Sequence, residues 1–247
     1  MKFKFIFCIL SSKNLSNDNI NFNSNNKYEE LKTYFDKYFE KFKDDIKYFF
    51  IEYDNLLNEQ IYEFENYIYI KGNESIIPGC LDKFKTAVKH INSNYDYEFL
   101  IHTNLTSLWN LYNLQILYTK LPKNNFFGGH LVFNIFISGT GIIISRDLTP
   151  NLLLIDDYSN NNDVVISKFF SNKNIHFYTF NNLPHHKLKF QIGVSNCRDV
   201  NSVHHISQNI IPNDIENILY FRIKTDKIER DIYLTKLLIN KIYSIQI

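Results

Sequence analysis

"YDYEFLIHTNLTSLWNL", Tyr95 to Leu111, decides how the rest of the chain is read. "YEFLIH" has the apolar run of a buried strand, and "SLWNLYNLQILYTKL", ending before Pro122, has the pattern of a helix. Between them lie His102, Thr103, Asn104 and Thr106, all polar and none acidic. A strand that crosses into a helix through a short polar segment is the unit from which parallel sheets are built.

The same alternation recurs on both sides. Upstream, "KFIFCIL" reads as a first strand; no small-residue cleavage site follows it and it is too short to span a bilayer, so a secretion signal fits less well. The polar segment Ser11 to Asn26 reads as a loop. It leads to the helix "KYEELKTYFDKYFEKF", with Leu31, Phe35, Tyr38 and Phe42 at helical spacing, then to the strands "IKYFFIEY" and "NYIYI". Pro78 stands at a first helical turn, with Leu81, Phe84, Val88 and Ile91 following on one face. Downstream, "FFGGHLVF" and "IFISGTGIIIS" predict a strand pair, followed by a short helix from Pro150 with Thr149 as its N-cap. The helix "VVISKFFSNK", the strands "IHFYTF", "KLKFQIGV" and "ILYFRIK", and the helix "ERDIYLTKLLINKIY" complete the series. The expectation is an α/β fold: one domain around a mixed, mostly parallel, Rossmann-like sheet with helices on both faces. Ligands of such sheets sit beyond the carboxyl ends of the strands, where His102 to Thr106 fall.

At 247 residues and 45% hydrophobic, the chain can bury enough apolar surface to offset its conformational entropy, which excludes global disorder. With 27 basic and 26 acidic residues and no basic block, it lacks the electrostatic footprint of a nucleic-acid binder. Cys8, Cys80 and Cys197 have no paired spacing, which argues against a disulfide framework or a zinc site and for a reducing compartment. Asn73-Glu74-Ser75 and Asn104-Leu105-Thr106 are glycosylation sequons; a glycan on the second would obstruct the strand end, so a cytoplasmic location is expected, with no transmembrane segment.

Three stretches taken in order, "YDYEFLIHTNLTSLWNLYNL", "FFGGHLVFNIFISGTGIIISRDL" and "NNNDVVISKFFSNKNI", resemble the core of GT-A fold glycosyltransferases of the Fringe and β1,3-galactosyltransferase type (glycosyltransferase family 31). The likeness covers roughly Ile46 to Phe177. It implies a nucleotide-binding half, 1–105, and an acceptor and sugar half, 106–247, with a nucleotide-sugar donor and a glycan or other hydroxyl acceptor as partners. In that family a strand ends in an Asp-X-Asp motif that holds a divalent ion against the donor diphosphate. Here the motif falls on Asn104, Leu105 and Thr106, and both acids are missing. Hard divalent ions need anionic oxygen ligands, so the resemblance implies a donor-binding strand end that is metal-independent, with Mn2+ or Mg2+ as the cofactors if one is used after all.

By the same resemblance, His102, Thr103, Asn104 and Thr106 lie along the donor, and Gly139, Thr140 and Gly141 shape the sugar pocket. Asp163 matches the second acid of a family pair and becomes the catalytic base of an inverting transfer; Asn162 replaces the first. A carboxylate in a first helical turn is kept ionised by the amide dipoles, which suits acceptance of a hydroxyl proton. Without a metal, cationic groups must hold the leaving diphosphate. Arg198 with His204 or His205 is the candidate set, and Lys187, Lys189, Arg222 and His185-His186 are further cations of the same third.

Each of these residues has a plainer reading. Gly139 and Gly141 serve a tight turn, Asp163 starts a helix, Trp109, which could stack on a sugar or a base, packs in a core, and Asp156-Asp157, which looks like an acid pair, belongs to a solvated loop. Glu74-Ser75 lies at another strand-to-helix crossing and touches the nucleotide only if the ligand reaches it. The rival functions are a non-catalytic glycan- or nucleotide-binding protein on the same scaffold and a metallohydrolase built on the C-terminal histidines.

Overall fold

Lys2–Leu10 is continuously apolar from Phe5 to Ile9, which suits a strand covered on both faces, and it forms strand β1 at the middle of a sheet. This is a computed structural model, and it describes residues 1–12, 24–179, 189–194, 215–225 and 227–246. The chain groups into two compact units: Met1–Asn14, Asp44–Asn104 and Leu121–Thr179 form the first, and Leu15–Lys43, Leu105–Lys120 and Phe180–Ile247 the second. Residues 121–179 of the second sequence half thus belong with most of the first.

In the first unit, β1 is flanked by β2 (Ile46–Tyr53) and β5 (Asp96–Asn104), both parallel to it. Beyond β2 lie β4 (Tyr67–Ile70), parallel, and the edge strand β3 (Ile61–Phe64), antiparallel to β4. Beyond β5 lie β8 (Phe136–Ser145), antiparallel to it, then β7 (Phe127–Val132) and β9 (Phe177–Thr179). The result is a mixed eight-stranded sheet of order β3-β4-β2-β1-β5-β8-β7-β9. Helices α2 (Gly79–Asn94), α4 (Thr149–Leu152) and α5 (Asn162–Asn172) share one core cluster with Ile6, Cys8, Phe49, Ile51, Ile68 and Leu100. The predicted face of α2, Leu81, Phe84, Val88 and Ile91, is buried in that cluster. Successive strand residues point to opposite faces, and Phe5, Phe7, Ile9, Phe50, Phe99 and Ile101, on the other face, are just as buried.

In the second unit, helix α1 (Ser24–Phe39) buries Leu31, Phe35 and Tyr38, and Phe42 follows half-buried in a short 3-10 turn. A small sheet joins β10 (Lys189–Val194), β11 (Ile218–Ile223) and β6 (Ser107–Trp109), followed by helix α3 (Leu111–Tyr118) and, at the end, α6 (Ile228–Tyr243).

Two expectations need correction, and one strand is added. Ser107–Trp109 is a strand rather than the start of a helix, because it pairs antiparallel with Tyr220–Arg222 of β11 and tertiary pairing outweighs local preference. The helix begins only after Asn110, whose side chain accepts from the Asn113 N–H and caps it. Ile61–Phe64 is a strand the sequence reading left out; its alternation is short, and it is held by register with β4. Thr149 is the first residue of α4 rather than its N-cap: its hydroxyl donates to the Arg146 carbonyl at 2.9 Å instead of accepting from the helix.

Candidate functional site

The carboxyl end of β5 lies beside β8, with His102 opposite Ile142 and Thr103 opposite Gly141. Thr103 is fully buried, and its hydroxyl donates to the Thr140 carbonyl at 2.8 Å. Alternation along β5 puts His102 and Asn104 on the face of Leu100, the face covered by α2 and α5.

α5 starts against this strand end. Its first N–H groups lack partners within the helix, and the side chains of the first turn supply them: Asn162 Oδ1 accepts from the Asp163 N–H and Asp163 Oδ1 from the Val164 N–H, each at 2.9 Å. Val165, Ile166 and Phe170 bury the inner face, and the Ser167 hydroxyl accepts from the Ile137 N–H at 3.0 Å, tying the helix to β8.

Two contacts then join helix and strands. Asp163 Oδ2 accepts from the Gly139 N–H at 2.9 Å, and a Cβ on Gly139 would lie 3.2 Å from the Asp163 Cβ. The glycine therefore gives the Asp163 side chain room for its close approach; Gly139 and Gly141 lie inside β8 without a positive φ, so the tight-turn reading does not hold. Asn162 Nδ2 lies 2.9 Å from His102 Nε2. His102 is 2% exposed, meets the Phe84 ring edge-on at 4.5 Å, and has no hydrogen-bond partner for Nδ1 among the described residues. Burial pushes its pKa down to about 4; the nearby Asp163 carboxylate and the His102 and Gly139 carbonyls favour the proton but do not offset that. Asp163 itself is half-buried, and its two amide contacts leave lone pairs for a further donor.

The Cys80 thiol, at the start of α2, feels the same carboxylate. Its pKa is raised, first by burial, with Lys83 opposing and with Glu74 and Asp163 adding to the rise. Lys83 is buried and donates to both oxygens of Glu74, at 3.0 and 2.8 Å, and to the Ser11 carbonyl at 2.8 Å. The Ser11 hydroxyl donates to Glu52 Oε1 at 2.8 Å, and Glu52 is fully buried. Glu74 thus serves an internal ion pair. The sequence reading passed over Lys83 and Glu52, although a lysine between Leu81 and Phe84 on an apolar helix face and a glutamate inside "IKYFFIEY" were signals for both.

Of the residues the sequence singled out, the fold brings His102, Thr103, Asn104, Gly139, Thr140, Gly141 and Asp163 to one end of the first unit's sheet. Thr106 belongs to the second unit, where its hydroxyl accepts from Arg222 Nη1 and its carbonyl from the Ile223 N–H at 2.7 Å. Arg198, His204, His205, His185, His186 and Lys187 lie outside the described residues, as does the side chain of Lys189. Trp109 is fully buried and stacked on Tyr220 at 4.6 Å, so it packs in a core. Asp157 is held by Ser159 and Lys168, and those hydrogen bonds keep its carboxyl near a pKa of about 2, in keeping with a loop.

The motif positions do not fit a divalent ion: Asn104 and Thr106 offer neutral oxygens, Thr106 is engaged by Arg222, and Leu105 is buried. Among the described residues no group of three or more His, Cys, Asp or Glu side chains could hold a metal, and no helix is long and apolar enough to cross a membrane. No protein-family model matches the chain, and no curated protein matches it in sequence.

Proposed function

We propose that the chain is a GT-A-like glycosyltransferase of the Fringe and β1,3-galactosyltransferase type. It moves a sugar from a nucleotide donor to a hydroxyl acceptor with inversion and without a metal. The observation that carries this reading is the bond from the Gly139 N–H to Asp163 Oδ2, which joins the small-residue strand to the acid-bearing helix beside the carboxyl end of β5. Asp163 takes the acceptor hydroxyl proton as the new bond forms, using lone pairs that the two backbone contacts leave open. The donor lies along His102 to Asn104, and Gly139 to Gly141 border the sugar. Leaving-group charge is held by protein donors, a role assigned to Arg198 and to His204 or His205.

The second reading is a binding protein without turnover. It is favoured by the same contacts, since a carboxylate braced by two backbone N–H groups is also a plain helix start. A panel of nucleotide sugars, assayed for hydrolysis and transfer with and without chelator, separates the two. Transfer that survives chelation supports the enzyme, loss on chelation returns a metal to the mechanism, and binding without turnover supports the second reading.

A further inference from the structure

We propose that His102 is a positioning residue for Asp163: it accepts the Asn162 side-chain amide at Nε2 and so fixes the first turn of α5 and the direction of the Asp163 carboxylate. Asn162 Oδ1 is occupied by the Asp163 N–H, so the atom facing His102 Nε2 at 2.9 Å is the amide nitrogen. That nitrogen carries only hydrogens. Nε2 must therefore present its lone pair, and the neutral ring carries its proton on Nδ1.

Nδ1 is buried and has no hydrogen-bond partner among the described residues. The His102 and Gly139 carbonyls favour a ring proton but complete no hydrogen bond to Nδ1, so an apolar side chain of similar size would sit against Phe84 at less cost. What the imidazole adds is the acceptor for Asn162. The consequence runs through short covalent links: Asn162 holds the Asp163 N–H, and the Asp163 carboxylate is held by the Val164 and Gly139 N–H groups. Without the His102 lone pair the Asn162 amide turns away, the Asp163 N–H loses its acceptor, and the carboxylate leaves Gly139.

Only the turnover arm of the test rests on Asp163 being a base. In the full chain at neutral pH, long-range proton–nitrogen correlation of the His102 ring is expected to show Nε2 bare and Nδ1 protonated; the opposite tautomer overturns the proposal. Hydrogen exchange of the Gly139 amide is then compared in His102→Leu and His102→Gln, the second of which returns an oxygen acceptor near the Nε2 position. Exchange is expected to rise roughly tenfold in the leucine variant and to return toward the native rate in the glutamine variant. A native rate in the leucine variant, or no recovery in the glutamine variant, overturns it. Should the leucine variant fail to fold, Asn162→Ala removes the same link from the partially exposed side and is judged by the same amide. With a donor that turns over, His102→Leu lowers kcat and His102→Gln recovers it. If the native chain transfers no sugar, the base role of Asp163 fails, while the tautomer and exchange results still decide the role of His102.

Discussion

At the carboxyl ends of β1 and β2, Lys83 is buried with its side chain 3% exposed and gives hydrogen bonds to both oxygens of Glu74 and to the Ser11 carbonyl. At the carboxyl end of β5, Asp163 stays half-buried with acceptor capacity in reserve, next to a histidine that has one nitrogen without a partner among the described residues. The two clusters lie at the same end of one sheet and follow different rules. An ammonium that has given all three of its hydrogens away can only brace the fold, whereas a carboxylate with spare lone pairs can take a proton. Placement at a strand end is thus shared by both, and unfilled hydrogen-bonding capacity separates the candidate for chemistry from the strut.

That contrast can be broken or sharpened by experiment. The largest effect is expected for Asp163→Asn, which lowers transfer by about 10²- to 10⁴-fold while donor binding, read by calorimetry, stays near native. Native turnover in that variant removes Asp163 from the mechanism. Lys83→Met leaves the Glu74 carboxylate without its cation and costs about 3 kcal/mol or more, read by denaturant unfolding, with activity per folded molecule retained. If turnover falls as far as it does in Asp163→Asn, the two clusters form one functional site and the contrast is lost.

Acid is expected to act through His102. Its folded pKa of about 4 lies below the ordinary 6.5, so between these values the unfolded chain takes up a proton that the folded chain refuses. Stability from this group is complete above pH 6.5 and declines as pH falls toward 4, by up to about 3 kcal/mol. His102→Gln should flatten unfolding free energy against pH across that window. The smallest effect on stability is expected for Gly139→Ala, at about 1 kcal/mol, because the added methyl meets the Asp163 side chain at 3.2 Å and must push it aside. Its turnover should fall by more than its stability predicts, since the group displaced is the carboxylate.

The parallel half of the sheet was legible because buried strands and amphipathic helices repeat their apolar residues with distinct periods. The Leu81, Phe84, Val88 and Ile91 stripe predicted its helix, and Asp163 was correctly placed in a first turn. Ser107–Trp109 misled for a physical reason: the serine, leucine and tryptophan fit either period, and the partner that decides, β11, lies far along the chain. The same distance hid the core of the candidate site. Nothing local says that Asn162 meets His102 or that Gly139 makes room for Asp163; these follow from β8 lying beside β5 with α5 against it.

The route of the chain through its two units also bears on how it is made. β5 ends at Asn104, and its neighbour β8 emerges from the ribosome only after the excursion through Leu105–Lys120 and the whole of β7. Until then a nascent chain displays the unpaired rim of a strand whose apolar residues are meant for the interior, which is a template for wrong partners. Pausing or truncation between Asn104 and Phe136 is where chaperone dependence should be greatest, and a shortened product ending there should precipitate rather than behave as an independent half.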